Sequence, residues 1–201
     1  HHGASQVGDF ISNSAKLKNN FDCKFIIIKS STSLESIGKF EYKKIYYLSE
    51  LYVKILFTLI IFRPDKIYFT ASINGFAFYR DLILSTLWKG YFYLKKTDIY
   101  YHYHTKGVND FVSKSVLRLK LTNFFIKDIN LILLTPLLQD DFASLTTYKK
   151  IYFLPNGVRD QTVLVDFDNF IKDKFSNVQR SINVLYLSNM IKSKGYFKVL
   201  E

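Results

Sequence analysis

From residue 66 to residue 157 short apolar runs alternate with longer helical stretches, and no other feature of the chain limits its fold as much. "KIYFT" (Lys66–Thr70), "DIYYHYH" (Asp98–His104), "INLILLT" (Ile129–Thr135) and "KIYFL" (Lys150–Leu154) are β-branched and aromatic, and polar or turn residues bound each of them. Such runs read as buried strands. An earlier run, "CKFIIIK" (Cys23–Lys29), reads the same way. Helical spacing covers Gln6–Lys18, Tyr42–Phe62, Phe76–Trp88 and Asn109–Lys127, and Thr135 followed by Pro136 is a strong helix start. Strands alternating with helices predict the α/β class, a Rossmann-like parallel sheet with helices on both faces.

Both ends of this scheme look incomplete. No strand precedes the opening "HHGAS", although the first strand of such a sheet is normally central. After "PNG" comes a stretch beginning "RDQTVLV", then a strand at Asn183–Leu187 and a short helix from Gly195. The predicted organisation is a Rossmann-like domain over 1–158, a linker over 159–181, and the first strand and helix of a second domain over 182–201. A lone βα unit buries too little apolar area to fold by itself. Residues 182–201 are therefore expected to dock on the first domain or to be poorly ordered.

Composition narrows the function classes. One cysteine, Cys23, excludes an intramolecular disulfide framework and makes a reducing compartment the default. The first apolar stretch comes late and lacks a cleavage pattern, so no signal peptide is expected and a cytoplasmic location is. In "LYVKILFTLIIF" the uninterrupted apolar part runs only from Ile55 to Phe62, against about 20 residues for a membrane span. Leu48, Leu51, Tyr52, Ile55, Leu59 and Phe62 fall on one stripe, with Glu50, Lys54 and Thr58 on a polar ridge. This predicts a buried amphipathic helix. Of the 28 Lys+Arg and 17 Asp+Glu, 21 and 12 precede Arg159, so +9 of the net +11 lies there. A basic body attracts nucleic acid, anionic lipid or anionic small molecules. No aromatic stacking motif of a nucleic-acid binder is present, and no nucleic-acid partner is expected.

"YHYHTKG" places His102 and His104 on one face of a strand. No His or Cys downstream completes a metal site, so no metal is expected. "DFD" (Asp166–Asp168) resembles a metal-binding pair of carboxylates but falls in the linker and reads as a solvated acidic turn. Lys114 and Arg118 have i, i+4 spacing on the predicted helix, and with Lys16, Lys18, Lys120 and Lys127 they form either an ordinary solvated face or a basic rim.

Three segments, in this order, resemble glycosyltransferase family 4 of the GT-B fold: "HHGAS", "IYFLPNGV" (Ile151–Val158) and "VLYLSNMIKSKG" (Val184–Gly195). They are similar to the loop after the first strand, the exit from the N-terminal domain and the opening of the donor-binding domain. The resemblance implies an acceptor-side domain truncated at both ends, covering about half of a family member. It also implies sugar transfer from a nucleotide-sugar donor to a glycan or lipid-linked acceptor in bacterial surface polysaccharide synthesis, with no cofactor or metal. Protein donors must then stabilise the departing diphosphate. By this resemblance Gly3, Ala4 and Ser5 present backbone amides to the ligand, and His104 lies against the donor sugar. Lys194 pairs with the diphosphate and Asn189 donates a hydrogen bond beside it, where the family has an arginine next to glycine. Lys192 is a candidate substitute for that missing charge. Thr105 stands where the family has glycine after His104, and the acidic "E-x7-E" motif is absent. Residues 1–201 alone are accordingly expected to be inactive. The resemblance further implies attachment at the inner face of the plasma membrane through an anionic membrane surface. A nucleotide-sugar epimerase would need a carboxylate and His set that the sequence lacks. A non-catalytic basic α/β module binding nucleic acid or membrane is the rival of a different class.

Overall fold

The computed structural model describes residues 3–28, 42–157 and 166–176, in two compact units, His1–Gly157 and Val158–Glu201. The first unit runs α1 (Gly3–Ser12), α2 (Ala15–Asn20), α3 (Tyr42–Phe62), β1 (Lys66–Thr70), α4 (Gly75–Leu94), β2 (Asp98–Tyr103), α5 (Val108–Val112), α6 (Val116–Ile126), β3 (Asn130–Leu133), a 3₁₀ helix (Pro136–Phe142) and β4 (Lys150–Phe153). The second unit contributes α7 (Phe167–Ser176) to the described residues.

The four strands pair in the order β1-β2-β3-β4, every pair parallel, with Tyr68 beside Tyr100 and Tyr101 beside Leu131. This is the parallel α/β sheet that the alternation predicts. Because the order rises steadily, right-handed crossovers place every connection on one face. Phe69 and Tyr101 meet Trp88 of α4, Tyr101 meets Phe125 of α6, and Tyr103 meets Phe142 of the 3₁₀ helix. Helices on both faces were expected. Here the opposite face, bearing Tyr68, Thr70 and Tyr152, is exposed at those positions, since no β1-to-β4 connection crosses it.

The core is aromatic and closes around β2. Tyr101 is fully buried, and its hydroxyl accepts a hydrogen bond from Trp88 Nε1 at 2.7 Å. Phe78 packs on Phe111 and Phe125.

Four local expectations change. Residues 22–28 form no strand, so the run at Cys23–Lys29 is corrected, Lys29 itself lying outside the described residues. Its alternation is real: Ile26 and Ile28 pack against the core while Ile27 is 80% exposed. A strand also requires a hydrogen-bonded partner, and among the described residues none pairs with this segment. The helix predicted over 109–127 is broken into α5 and α6, because the Ser115 hydroxyl accepts the Arg118 N–H at 3.2 Å and starts a new helix. Lys114 and Arg118 are therefore not partners on one helix. Arg118 lies over the Phe111 ring instead, at 5.0 Å. The segment that Thr135 caps winds as a 3₁₀ helix.

The fourth change is in α3. Its predicted inward stripe is correct, with Ile55 and Leu59 buried and Leu48, Leu51 and Tyr52 packed on the core. The rest of the helix is not buried: Val53, Phe57, Ile60 and Ile61 are exposed. The apolar arc is wider than α4 and the sheet can cover.

Replacing Tyr101 by Phe removes the acceptor of the buried Trp88 N–H. Tyr101→Phe is expected to lower unfolding stability by about 1–3 kcal/mol at nearly constant volume, measured by urea denaturation.

Candidate functional site

Parallel α/β sheets bind ligands in the crevice at the carboxyl ends of their strands. In this chain that end is built from three loops: residues 71–74 after β1, 104–107 after β2 and 154–157 after β4. Two buried carboxylates fix the first two. Asp81 of α4, fully buried, accepts the Ser72 N–H at 2.9 Å and is held by the Arg80 guanidinium at 2.7 and 2.8 Å. Burial raises its pKa, and the Arg80 charge opposes that rise. Asp141, on the 3₁₀ helix, accepts the backbone N–H groups of Gly107, Val108 and Asn109 at 2.8, 2.8 and 3.0 Å. An amide cluster of this kind can otherwise hold an anion, and here an internal carboxylate fills it. Gly107 has φ +128°, a conformation that side chains disfavour, and this lets the chain turn back toward Asp141. The two loops meet: a Cβ on Gly107 would lie 3.9 Å from Ile73.

His102 and His104 project from the other face of the sheet, the one that bears Tyr68 and Thr70, just before the second of these loops. Their rings are 3.9 Å apart, confirming the shared face that strand period two predicts. His102 is 1% exposed, and its Nδ1 shares a 2.6 Å hydrogen bond with the Tyr68 hydroxyl. Its Nε2 is buried without a hydrogen-bond partner among the described residues, and both ring nitrogens of His104 are buried, with the Asn156 side chain beside that ring. Burial, with the neighbouring His104, pushes the His102 pKa down to about 4. Burial also lowers that of His104, while the Asn156 side chain acts in the opposite sense. Both rings are thus neutral near pH 7. A neutral imidazole both donates and accepts, so the pair suits hydroxyl groups better than it suits phosphate. Asn156 belongs to the "PNG" segment, so two separated motifs meet at His104. Among the described residues no group of three His, Cys, Asp or Glu could hold a metal.

The other predicted residues are distributed differently. Gly3, Ala4 and Ser5 form the first turn of α1, which starts earlier than its apolar spacing indicates. Asn189, Lys192 and Lys194 lie outside the described residues, as does all of 182–201. Asp166 caps α7, accepting the Asn169 N–H at 3.2 Å and its amide at 2.7 Å, which gives the "DFD" carboxylate a structural role. Sequence reasoning missed Asp81, Asp141 and Tyr68. Strand period marked Tyr68 as sharing a face with Thr70, but the cross-strand register that brings it to His102 cannot be read from one strand.

A separate hollow of about 190 Å³ lies at the amino end of the sheet, lined by Lys89, Phe92, Ile99, Phe124 and Ile129. Burial lowers the Lys89 pKa to about 8. Its ammonium donates to the Lys127 carbonyl at 2.8 Å. This hollow is remote from the strand ends where open α/β sheets bind ligands.

Compared with protein-family models, curated proteins and solved structures, the chain matches none. The fold is α/β with a four-stranded parallel sheet, consistent with a Rossmann-like domain.

The depressed pKa of His102 has a definite sign. Between about pH 6.5 and pH 4 the unfolded chain takes up a proton that the folded chain refuses, so stability falls as pH drops through that window. The loss attributable to His102 is expected to reach about 3 kcal/mol by pH 4. Urea unfolding at pH 7, 5.5 and 4.5 checks it: His102→Gln should show a flatter profile than the parent chain, and parallel profiles would refute the assignment.

Proposed function

We propose that this chain is the acceptor-side domain of a GT-B glycosyltransferase of the family 4 type, with the start of its donor domain. The observation that carries the reading is the meeting of His102, His104, Tyr68 and Asn156 at the carboxyl end of a parallel sheet. These groups are uncharged at neutral pH, and the two imidazoles have buried ring nitrogens with hydrogen-bonding capacity to spare, which fits a polyhydroxyl ligand. Two of them, His104 and Asn156, belong to segments whose sequence resembles family motifs.

In the proposed reaction the bond from the sugar's anomeric carbon to the diphosphate oxygen breaks. A bond to an acceptor hydroxyl oxygen forms, and the hydroxyl proton leaves with the diphosphate or to water. His104 contacts the sugar. Lys194 and Asn189 meet the diphosphate, with the amides of Gly3, Ala4 and Ser5 lending positive partial charge. No metal or cofactor takes part. The family resemblance implies retention at the anomeric carbon. The acceptor is a glycan or lipid-linked carrier, and the enzyme works in the cytoplasm or at the inner face of the plasma membrane.

The alternative is a non-catalytic basic module for nucleic acid or anionic membrane. It is favoured by the exposed sheet face, where Tyr100 and Tyr152 rings lie 6.0 Å apart and Lys150 sits over Tyr152. Aromatics with cations can stack bases.

The test uses a polypeptide carrying both domains, a panel of UDP-, GDP- and dTDP-sugars, and membrane extract as acceptor. Nucleotide release should depend on one donor, and Lys194→Ala should lower turnover about 10²–10³-fold, as loss of one leaving-group donor does. His104→Ala should also lower it. Absence of transfer with every donor, together with salt-sensitive duplex binding, would favour the alternative.

A further inference from the structure

The least expected surface of the molecule is the outer side of α3. Ile45–Phe62 has mean hydropathy 1.7 with only 11% of its residues buried, which is long and apolar enough to cross a bilayer by composition. Its inward stripe, however, is locked into the core through Ile55 and Leu59. Spanning would pull that stripe off the sheet and leave core residues uncovered. A helix with one apolar stripe in the core and a second outside is suited to lying along a membrane surface.

The end of α3 strengthens this reading. Ile60 and Ile61 are exposed there, Ile61 at 78%, and the last turn of α4 adds Tyr93 and Leu94, the latter at 88%. The two helix ends are tied together, because Lys95 donates to the Arg63 carbonyl at 2.8 Å and pairs with Asp65 at 2.8 Å. The apolar tips therefore form one corner. Arg63 and Lys96 border it, both exposed and without an ion-pair partner among the described residues. Apolar tips ringed by unpaired cations fit an anionic lipid surface, where the tips enter the acyl boundary and the cations stay at the headgroups.

We propose that the outer arc of α3 and the adjoining end of α4 dock this protein on anionic membrane, with α3 lying in the plane of the interface. Charge decides between lipid and a second copy of the chain: each copy carries +11, so copies meeting at this corner would bring like charges together. Anionic headgroups neutralise them. The inference does not rest on sugar transfer, and vesicle binding can be measured with no activity present.

Sedimentation of the 201-residue protein with phosphatidylcholine vesicles, with and without phosphatidylglycerol, tests it. Binding is expected on the anionic vesicles and should weaken as salt is raised. The double substitution Phe57→Ser with Ile60→Ser should lower the partition coefficient about tenfold or more. Tyr93→Ser with Leu94→Ser, on a different helix, should do the same, so one unfolded variant leaves the test intact. Lys96→Glu should weaken binding to anionic vesicles only. Failure to bind either vesicle, or unchanged partition in both folded double variants, would overturn the proposal. So would a dimer in light scattering that the same substitutions dissociate, since that assigns the arc to a second copy.

Discussion

The carboxylate of Asp141 reaches from the 3₁₀ helix to three consecutive backbone amides, at Gly107, Val108 and Asn109, and the shape of the candidate site depends on that contact. Without that acceptor the buried Val108 N–H and the partly buried N–H groups of Gly107 and Asn109 would lose hydrogen-bonding free energy, and together they would release the loop after β2. That loop follows directly from His104. Asp81 does the same for the loop after β1, whose strand carries Tyr68. The carboxyl end of the sheet is thus held by two buried carboxylates, and the paired imidazoles project from the strand that enters the second of these loops. Charge here has a structural use. The groups left with unused hydrogen-bonding capacity are the neutral rings.

Much of this fold was legible from periodicity. Four strands stand where apolar runs of four to seven residues fall between turn signals, and Ser115 aside, helices stand between them. Parallel pairing followed because each strand is reached through a helical connection. Illegible were features that depend on partners. "CKFIIIK" has the side-chain alternation of a strand, with Ile26 and Ile28 turned to the core, but alternation says nothing about whether a neighbour supplies hydrogen bonds. In α3 the inward stripe could be read from spacing, whereas the extent of its cover depends on what packs outside it.

The site was half legible for the same reason. His102 and His104 share a face by strand geometry alone. Tyr68 reaches His102 only through register, and Asp141 reaches Gly107 only through the turn of a 3₁₀ helix, so neither carries a local signal.

In the proposed reading, the carboxyl-end crevice around His102 and His104 holds the sugar moiety of a nucleotide-sugar. Imidazole resonances report on it directly, since only four histidines are present and two of them are His1 and His2. Nitrogen-resolved NMR of the histidine rings during titration with UDP-, GDP- and dTDP-sugars is the most direct measurement. The account predicts that one donor shifts the His102 and His104 ring nitrogens saturably, and that the nucleotide without its sugar shifts them much less. Saturable binding that leaves both rings unmoved, with backbone shifts confined to the far end of the sheet around Lys89, would contradict it.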